Sequence, residues 1–175
     1  MESVPWVFNG FWDLEAIEPL GLGFISCALP WYGPDVIGMQ EALRFQLDEI
    51  ERAIGGYAEI GHGREEGTKG EYSAILYAKD RFGVEASGTF WLSSTPEVVS
   101  NDWGNANIRI CTWGRLVETA SRQGFYLFNT HLDHVSQSSR EKSVRLIARR
   151  IHSRAHTDPF ILTGDFNGSL LRGLL

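Results

Sequence analysis

Apolar residues fall in short runs separated by glycine, proline and polar clusters, and two longer stretches carry a helical repeat. Val36-Ile37-Gly38-Met39 is a continuous apolar run that suits a buried strand. Leu43, Leu47, Ile50 and Ile54 then share one helical face, opposite Asp48, Glu49, Glu51 and Arg52. Gly55-Gly56 stops that helix. Residues 57–60, 72–77, 82–92, 108–117 and 125–130 read as strands, with a turn at Lys79-Asp80. A polar loop holds Gly61 to Gly67. A longer one, residues 93–107, carries Pro96 and Trp103, and loops of that length are often functional.

A second helix is predicted from Ser138, which has capping-box spacing to Glu141. Its apolar stripe would be Val144, Ile147, Ala148 and Ile151. Arg140, Lys142, Arg145, Arg149 and Arg150 form a basic face, suited to plain solvation or to meeting a phosphate-bearing substrate. After a turn at Asp158-Pro159, residues 160–163 read as a last buried strand. Residues 4–8 suit a strand near the start, while the stretch from Gly10 to Pro30 has no regular pattern. The order implies one α/β domain with antiparallel strands in its middle and no repeats or linkers.

Composition narrows the class. A chain of 175 residues, 43% hydrophobic and 12% aromatic, can bury a core without staples and is not disordered. The net charge of -6 argues against coating nucleic acid by charge alone, but not against a carboxylate-metal enzyme. Cys27 and Cys111 show no disulfide or zinc spacing and read as free buried thiols. No stretch is long and apolar enough to span a bilayer. Met1-Glu2-Ser3 opens no signal peptide, which points to the cytoplasm.

Three apolar runs end in groups able to do chemistry: Gln40-Glu41, then Asn129-Thr130-His131-Leu132-Asp133-His134, then Gly164-Asp165-Phe166-Asn167. Strand ends are where α/β folds gather ligand-binding groups. Each residue alone has an ordinary structural reading: Glu41 as a helix N-terminal charge, His131 as a core histidine, Asp165 as a turn residue. Three such ends together favour one converging site.

In this order and spacing, the segment Asp35 to Ala42, the segment Asn129 to His134, and Gly164-Asp165-Phe166-Asn167 resemble the endonuclease/exonuclease/phosphatase superfamily. Gly70 to Tyr77 and Gly88 to Ser93 resemble its bacterial general-hydrolase branch. The resemblance implies a DNase I-like two-sheet sandwich flanked by helices. Residues 34–175 would form the family domain, and residues 1–33 a poorly matching N-terminal segment of it. It further implies hydrolysis of a phosphate ester, with Mg2+ as the cation and Mn2+ as the alternative. A phosphodiester is the first expectation. A sugar or lipid phosphomonoester is the alternative, and a non-catalytic protein of the same fold is the rival from another class. A phosphate-ester substrate, whether nucleic acid, sugar phosphate or lipid phosphate, is the implied partner, and no obligate protein partner is evident.

By the same resemblance, Glu41 would hold the metal, Asp165 would orient and deprotonate water, and Asn167 and His131 would contact the phosphate. Asn9 is placed as a second metal residue, although its surroundings do not match. Asp133 and His134 are assigned hydrogen-bonding or substrate-contact roles. Arg109 is placed at the border of the cleft. A zinc trio of His131, Asp133 and His134 is disfavoured, because side chains alternate along a strand. The family's late Asp-His pair has no counterpart in residues 168–175. The chain is therefore expected to be truncated, with an incomplete second sheet, a bare edge or apolar face, and impaired activity.

Overall fold

The structure is a computed structural model that describes residues 7–10 and 33–168. The elements are β1 (Val7–Gly10), β2 (Val36–Met39), α1 (Arg44–Ile54), β3 (Tyr57–Ile60), β4 (Ile75–Ala78), β5 (Phe82–Trp91), β6 (Ile110–Glu118), β7 (Gly124–His131), α2 (Gln137–His152) and β8 (Phe160–Asp165). They form two four-stranded sheets, ordered β1-β2-β4-β3 and β5-β6-β7-β8. Antiparallel pairing dominates, but β1 runs parallel to β2, and β7 runs parallel to β8. The β7–β8 pair needs a crossover, which α2 supplies.

Alternation along the strands builds the layers. Ile37 and Met39 of β2 pack on Leu47 and Ile50 of α1. Val36, one position away, joins Leu116, Phe125 and Leu127 between the sheets. Tyr126 and Phe128 of β7 turn the other way, onto Leu146, Ile147 and Ile151 of α2. The result is helix, sheet, sheet, helix, with β2 and β7 buried on two faces. That two-sided burial explains why β2 and β7 read as unbroken apolar runs.

One polar residue crosses the inter-sheet core. Asn129 of β7 donates from Nδ2 to the carbonyls of Met39 and Ala74, at 2.8 Å each. Its Oδ1 accepts from Gln40 Nε2 at 2.6 Å and from Thr163 Oγ1 at 3.0 Å. Gly38 leaves room for it: an added Cβ would lie 2.7 Å from Thr163 Oγ1 and 2.9 Å from Asn129 Oδ1.

Several expectations shift. The strand predicted over residues 72–77 is shorter, because β2 ends at Met39 and its pairing with β4 stops at Gly38 opposite Ile75. Tyr72 instead makes an isolated bridge to Ala42. The helix predicted from Ser138 begins earlier: Ser136 is the N-cap and accepts from the Ser139 amide at 3.2 Å. Its stripe is also rotated. Ser139, Ser143, Leu146, Ile147 and Ile151 are buried, whereas Val144 and Ala148 are exposed. Small serines let α2 sit close to its neighbours where larger apolar residues would hold it off. The last strand is not uniformly buried: Phe160 is 48% exposed, and among the described residues β8 is an edge strand. Cys111 is a free buried thiol as expected, while Cys27 and most of the irregular stretch from Gly10 to Pro30 lie outside the described residues.

Asn129→Ala should remove the four hydrogen bonds that its side chain makes to Met39, Ala74, Gln40 and Thr163 and leave a cavity between the sheets. The expected loss is about 3 kcal/mol, since each unsatisfied buried polar group costs roughly 1–3 kcal/mol. Urea unfolding of the two proteins measures it, and an unchanged midpoint would contradict the clamp.

Candidate functional site

The carboxyl ends of β2, β7 and β8 meet at one edge. Parallel pairing sets His131 of β7 directly against Asp165 of β8. Gly164 makes that closeness possible: an added Cβ would sit 2.1 Å from the Thr130 carbonyl oxygen. Glu41 follows β2 in a left-handed conformation, φ 61°, and Asn167 follows β8 in another, φ 46°. Such conformations cost energy for residues other than glycine, and they gather at functional sites.

These turns aim the side chains inward. His131 Nδ1 lies 3.5 Å from Glu41 Oε1, and Nε2 lies 3.4 Å from Asp165 Oδ2. Asp165 Oδ1 accepts from the Asn167 amide at 2.9 Å, which fixes the turn. Asn167 Nδ2 donates to the Leu132 carbonyl at 2.9 Å and lies 2.9 Å from His131 Nε2. The carbonyl is a pure acceptor, so the amide's orientation is set. Nε2 therefore accepts, and the imidazole proton sits on Nδ1, facing Glu41. Burial pushes the His131 pKa down to about 4, helped by the charges of Arg109 and Arg64, while Asp165 acts in the opposite sense. The ring is neutral at neutral pH.

A second group of predicted residues has divided roles. Asp133 is fully buried and accepts from the amides of Ala106, Val135 and Ser136 at 2.9, 3.0 and 2.7 Å. Burial alone would raise its pKa, but those three bonds and Arg109 hold it below the usual carboxylate range. With both oxygens engaged, Asp133 is a tie between the loop of residues 93–107 and the start of α2, and the substrate-contact expectation for it is corrected. His134 is exposed, and its Nδ1 lies 3.2 Å from Arg109 Nη2. Arg109 is buried and lines one small depression with Glu41 and His131.

Arg64 and Glu71 line the same depression and were not singled out by the sequence. Arg64 Nη1 donates to Glu71 Oε2 at 2.5 Å. The polar loop of Arg64 and the Gly70 to Tyr77 segment that holds Glu71 were legible, but their docking against this edge depends on tertiary contacts. The backbone of Asn9 pairs with Gly38, which places it on the strand beside the one leading to Glu41; its side chain lies outside the described residues.

The donor set fits a hard cation. Glu41 offers an accessible carboxylate, and Mg2+ keeps several waters while bound by one or two carboxylates. Among the described residues, no three His, Cys, Asp or Glu side chains form a group that could enclose a metal ion, so any cation here would rest on few protein ligands. The trio His131, Asp133 and His134 is divided by the burial and full engagement of Asp133.

Comparison with known proteins places this geometry in a family. Residues 29–171 match the Endonuclease/Exonuclease/phosphatase family, and the chain belongs to it. A mannosyl-6-phosphatase from Bacteroides thetaiotaomicron is 34% identical, with a TM-score of 0.83 over 93% of this chain and 64% of that one. An endonuclease/exonuclease/phosphatase protein from Bacteroides vulgatus is 33% identical, with a TM-score of 0.85 over 93% of this chain and 64% of that one. A protein of Acanthamoeba polyphaga mimivirus is 28% identical over 143 residues, 77% of this chain and 53% of that one. The chain thus spans less than two thirds of both solved proteins and about half of the viral one. The fold is the DNase I-like sandwich that the motifs implied. No helix among the described residues is long and apolar enough to cross a membrane.

Asp133 supplies a pH signature. Its folded pKa is depressed, so its stabilisation is present above the ordinary value of about 3.9 and is lost as pH falls through the folded value. Asp133→Asn should lower Tm at pH 7, and the gap to the unaltered protein should narrow below about pH 4. Thermal melts across pH 2.5–7 check this, and a gap that stays constant would contradict it.

Proposed function

We propose that this chain carries the site of a divalent-metal-dependent phosphoester hydrolase, with Mg2+ preferred and Mn2+ accepted. The observation that supports it most is the convergence of Glu41, His131 and Asp165 from three strand ends. Glu41, with Asn9 as the second candidate, would hold the cation. When bound, the cation neutralises charge on the phosphate and on the leaving oxygen.

The chain's own residues account for the rest. Asp165 Oδ1 is occupied by the Asn167 amide, which leaves Oδ2, on the His131 side, to take a proton from the attacking water. His131 is uncharged at neutral pH, so it adds no positive charge beside the cation, and its single N–H, on Nδ1 facing Glu41, is the proton it can offer to a phosphate oxygen. Asn167 gives up its hydrogen bond to His131 and turns that N–H onto the phosphate, fixing the line of attack. His134 and Arg109 border the entry, and His134 is the exposed member of the pair.

A phosphodiester, the first expectation from the sequence, is one substrate class within this reading. A sugar phosphomonoester is the second reading, favoured by the 34% identity to a mannosyl-6-phosphatase.

Hydrolysis of p-nitrophenyl phosphate and bis(p-nitrophenyl) phosphate, with Mg2+ or with EDTA, tests the proposal. Turnover should require the metal. Glu41→Ala and Asp165→Asn should each lower it by at least about 100-fold with the fold intact by circular dichroism, the usual scale for losing one acid-base group. Folded protein with no metal-dependent turnover of either substrate would favour the non-catalytic reading.

A further inference from the structure

We propose that Arg64 is a specificity-determining residue that selects a phosphate with two negative charges and three terminal oxygens, that is, a phosphomonoester. The inference rests on the phosphoester reading of the site and deepens it.

Position is the first argument. Arg64 lines the depression that holds Glu41, His131 and Arg109. Its side chain is 18% exposed, so a ligand can reach it, whereas Arg109 is 4% exposed and set deeper. Glu71 takes Nη1 of Arg64, and a guanidinium carries five N–H donors. The carboxylate thereby orients the fork without exhausting it.

Rigidity is the second. The Gly61–Gly67 loop is braced by its own backbone. The Arg64 amide donates to the Glu71 carbonyl at 2.9 Å, Glu65 to Lys69 at 3.1 Å and Gly63 to Gly67 at 2.8 Å. The Trp91 indole N–H donates to the Arg64 carbonyl at 2.7 Å, and His62 packs on the Trp91 ring. At Gly63 an added Cβ would fall 1.9 Å from the Lys69 carbonyl oxygen. Such a loop presents Arg64 at a fixed place, so little ordering entropy is lost when a ligand binds.

Chemistry supplies the third. A phosphodiester has two terminal oxygens and one charge. A monoester has a third oxygen and, above its second pKa of about 6, a second charge. Glu41, with the cation it would hold, His131 and Asn167 would serve the terminal oxygens that a diester and a monoester share. A further cationic fork beside them is matched to the third, and guanidinium is the group suited to such recognition.

The test is binding rather than turnover. Methyl phosphate and dimethyl phosphate are titrated into the 175-residue chain with Mg2+ at pH 8 and followed by 31P NMR. Arg64→Ala should weaken methyl phosphate by about tenfold or more and dimethyl phosphate by less than about twofold, on the scale of one charge-assisted contact. Arg64→Lys should restore part of the difference. Equal losses for both ligands, or none for methyl phosphate, would overturn the assignment of Arg64 alone. Failure of the unaltered folded chain to bind either ligand would overturn the phosphoester reading together with it.

Discussion

The structure hangs on the amide of Asn129. Apolar contact between two sheets is non-directional and would tolerate a range of offsets. Asn129 removes that freedom, because its donors and acceptor are engaged by groups of both sheets: Met39 and Ala74 carbonyls on one side, Thr163 on its own side, and Gln40 between them. A misplaced sheet would leave several buried polar groups without partners, and that penalty defines one docking. Gly38 lets the sheets approach at the same point. The end of β2, with Glu41 just beyond it, is thereby delivered to the ends of β7 and β8.

Charge at the resulting edge is arranged by depth. Asp133 and Arg109 are buried, and Asp133 is satisfied by backbone amides, so it acts as scaffold. Glu41 and Asp165 are more accessible, with His131 held neutral between them by burial and by the nearby arginines. The left-handed backbone at Asn167 is held by its hydrogen bonds to Asp165 and the Leu132 carbonyl. Stability thus comes largely from the layer beneath Glu41, His131 and Asp165.

Much of this was legible in the sequence, and the exceptions have physical causes. Two-sided burial made β2 and β7 readable as runs. The amphipathic repeat located Leu47 and Ile50 of α1 correctly. In α2 the same logic chose Val144 and Ala148, because periodicity ranks apolar residues above serine, yet Ser139 and Ser143 are the buried ones. Ser138 has the capping-box spacing to Glu141, but Ser136 takes the role, at a turn where Asp133 accepts from the amides of Val135 and Ser136. The motif residues Glu41, His131, Asp165 and Asn167 converge as expected, but the separation of Asp133 from them could be seen only once its three amide partners were placed. Arg64 carries no local signal, since a charge in a polar loop is ordinary until the loop is docked.

The pairing of His131 with Asp165 across β7 and β8 carries a consequence for how the site can fail. Ladder hydrogen bonds permit only whole-residue displacements of roughly 3.3 Å. A slip of one residue also turns a side chain to the opposite face. The imidazole and the carboxylate therefore cannot drift apart gradually as the surrounding core is altered. Their spacing is quantised by the backbone, so the core around the pair is free to vary as long as the ladder keeps its count.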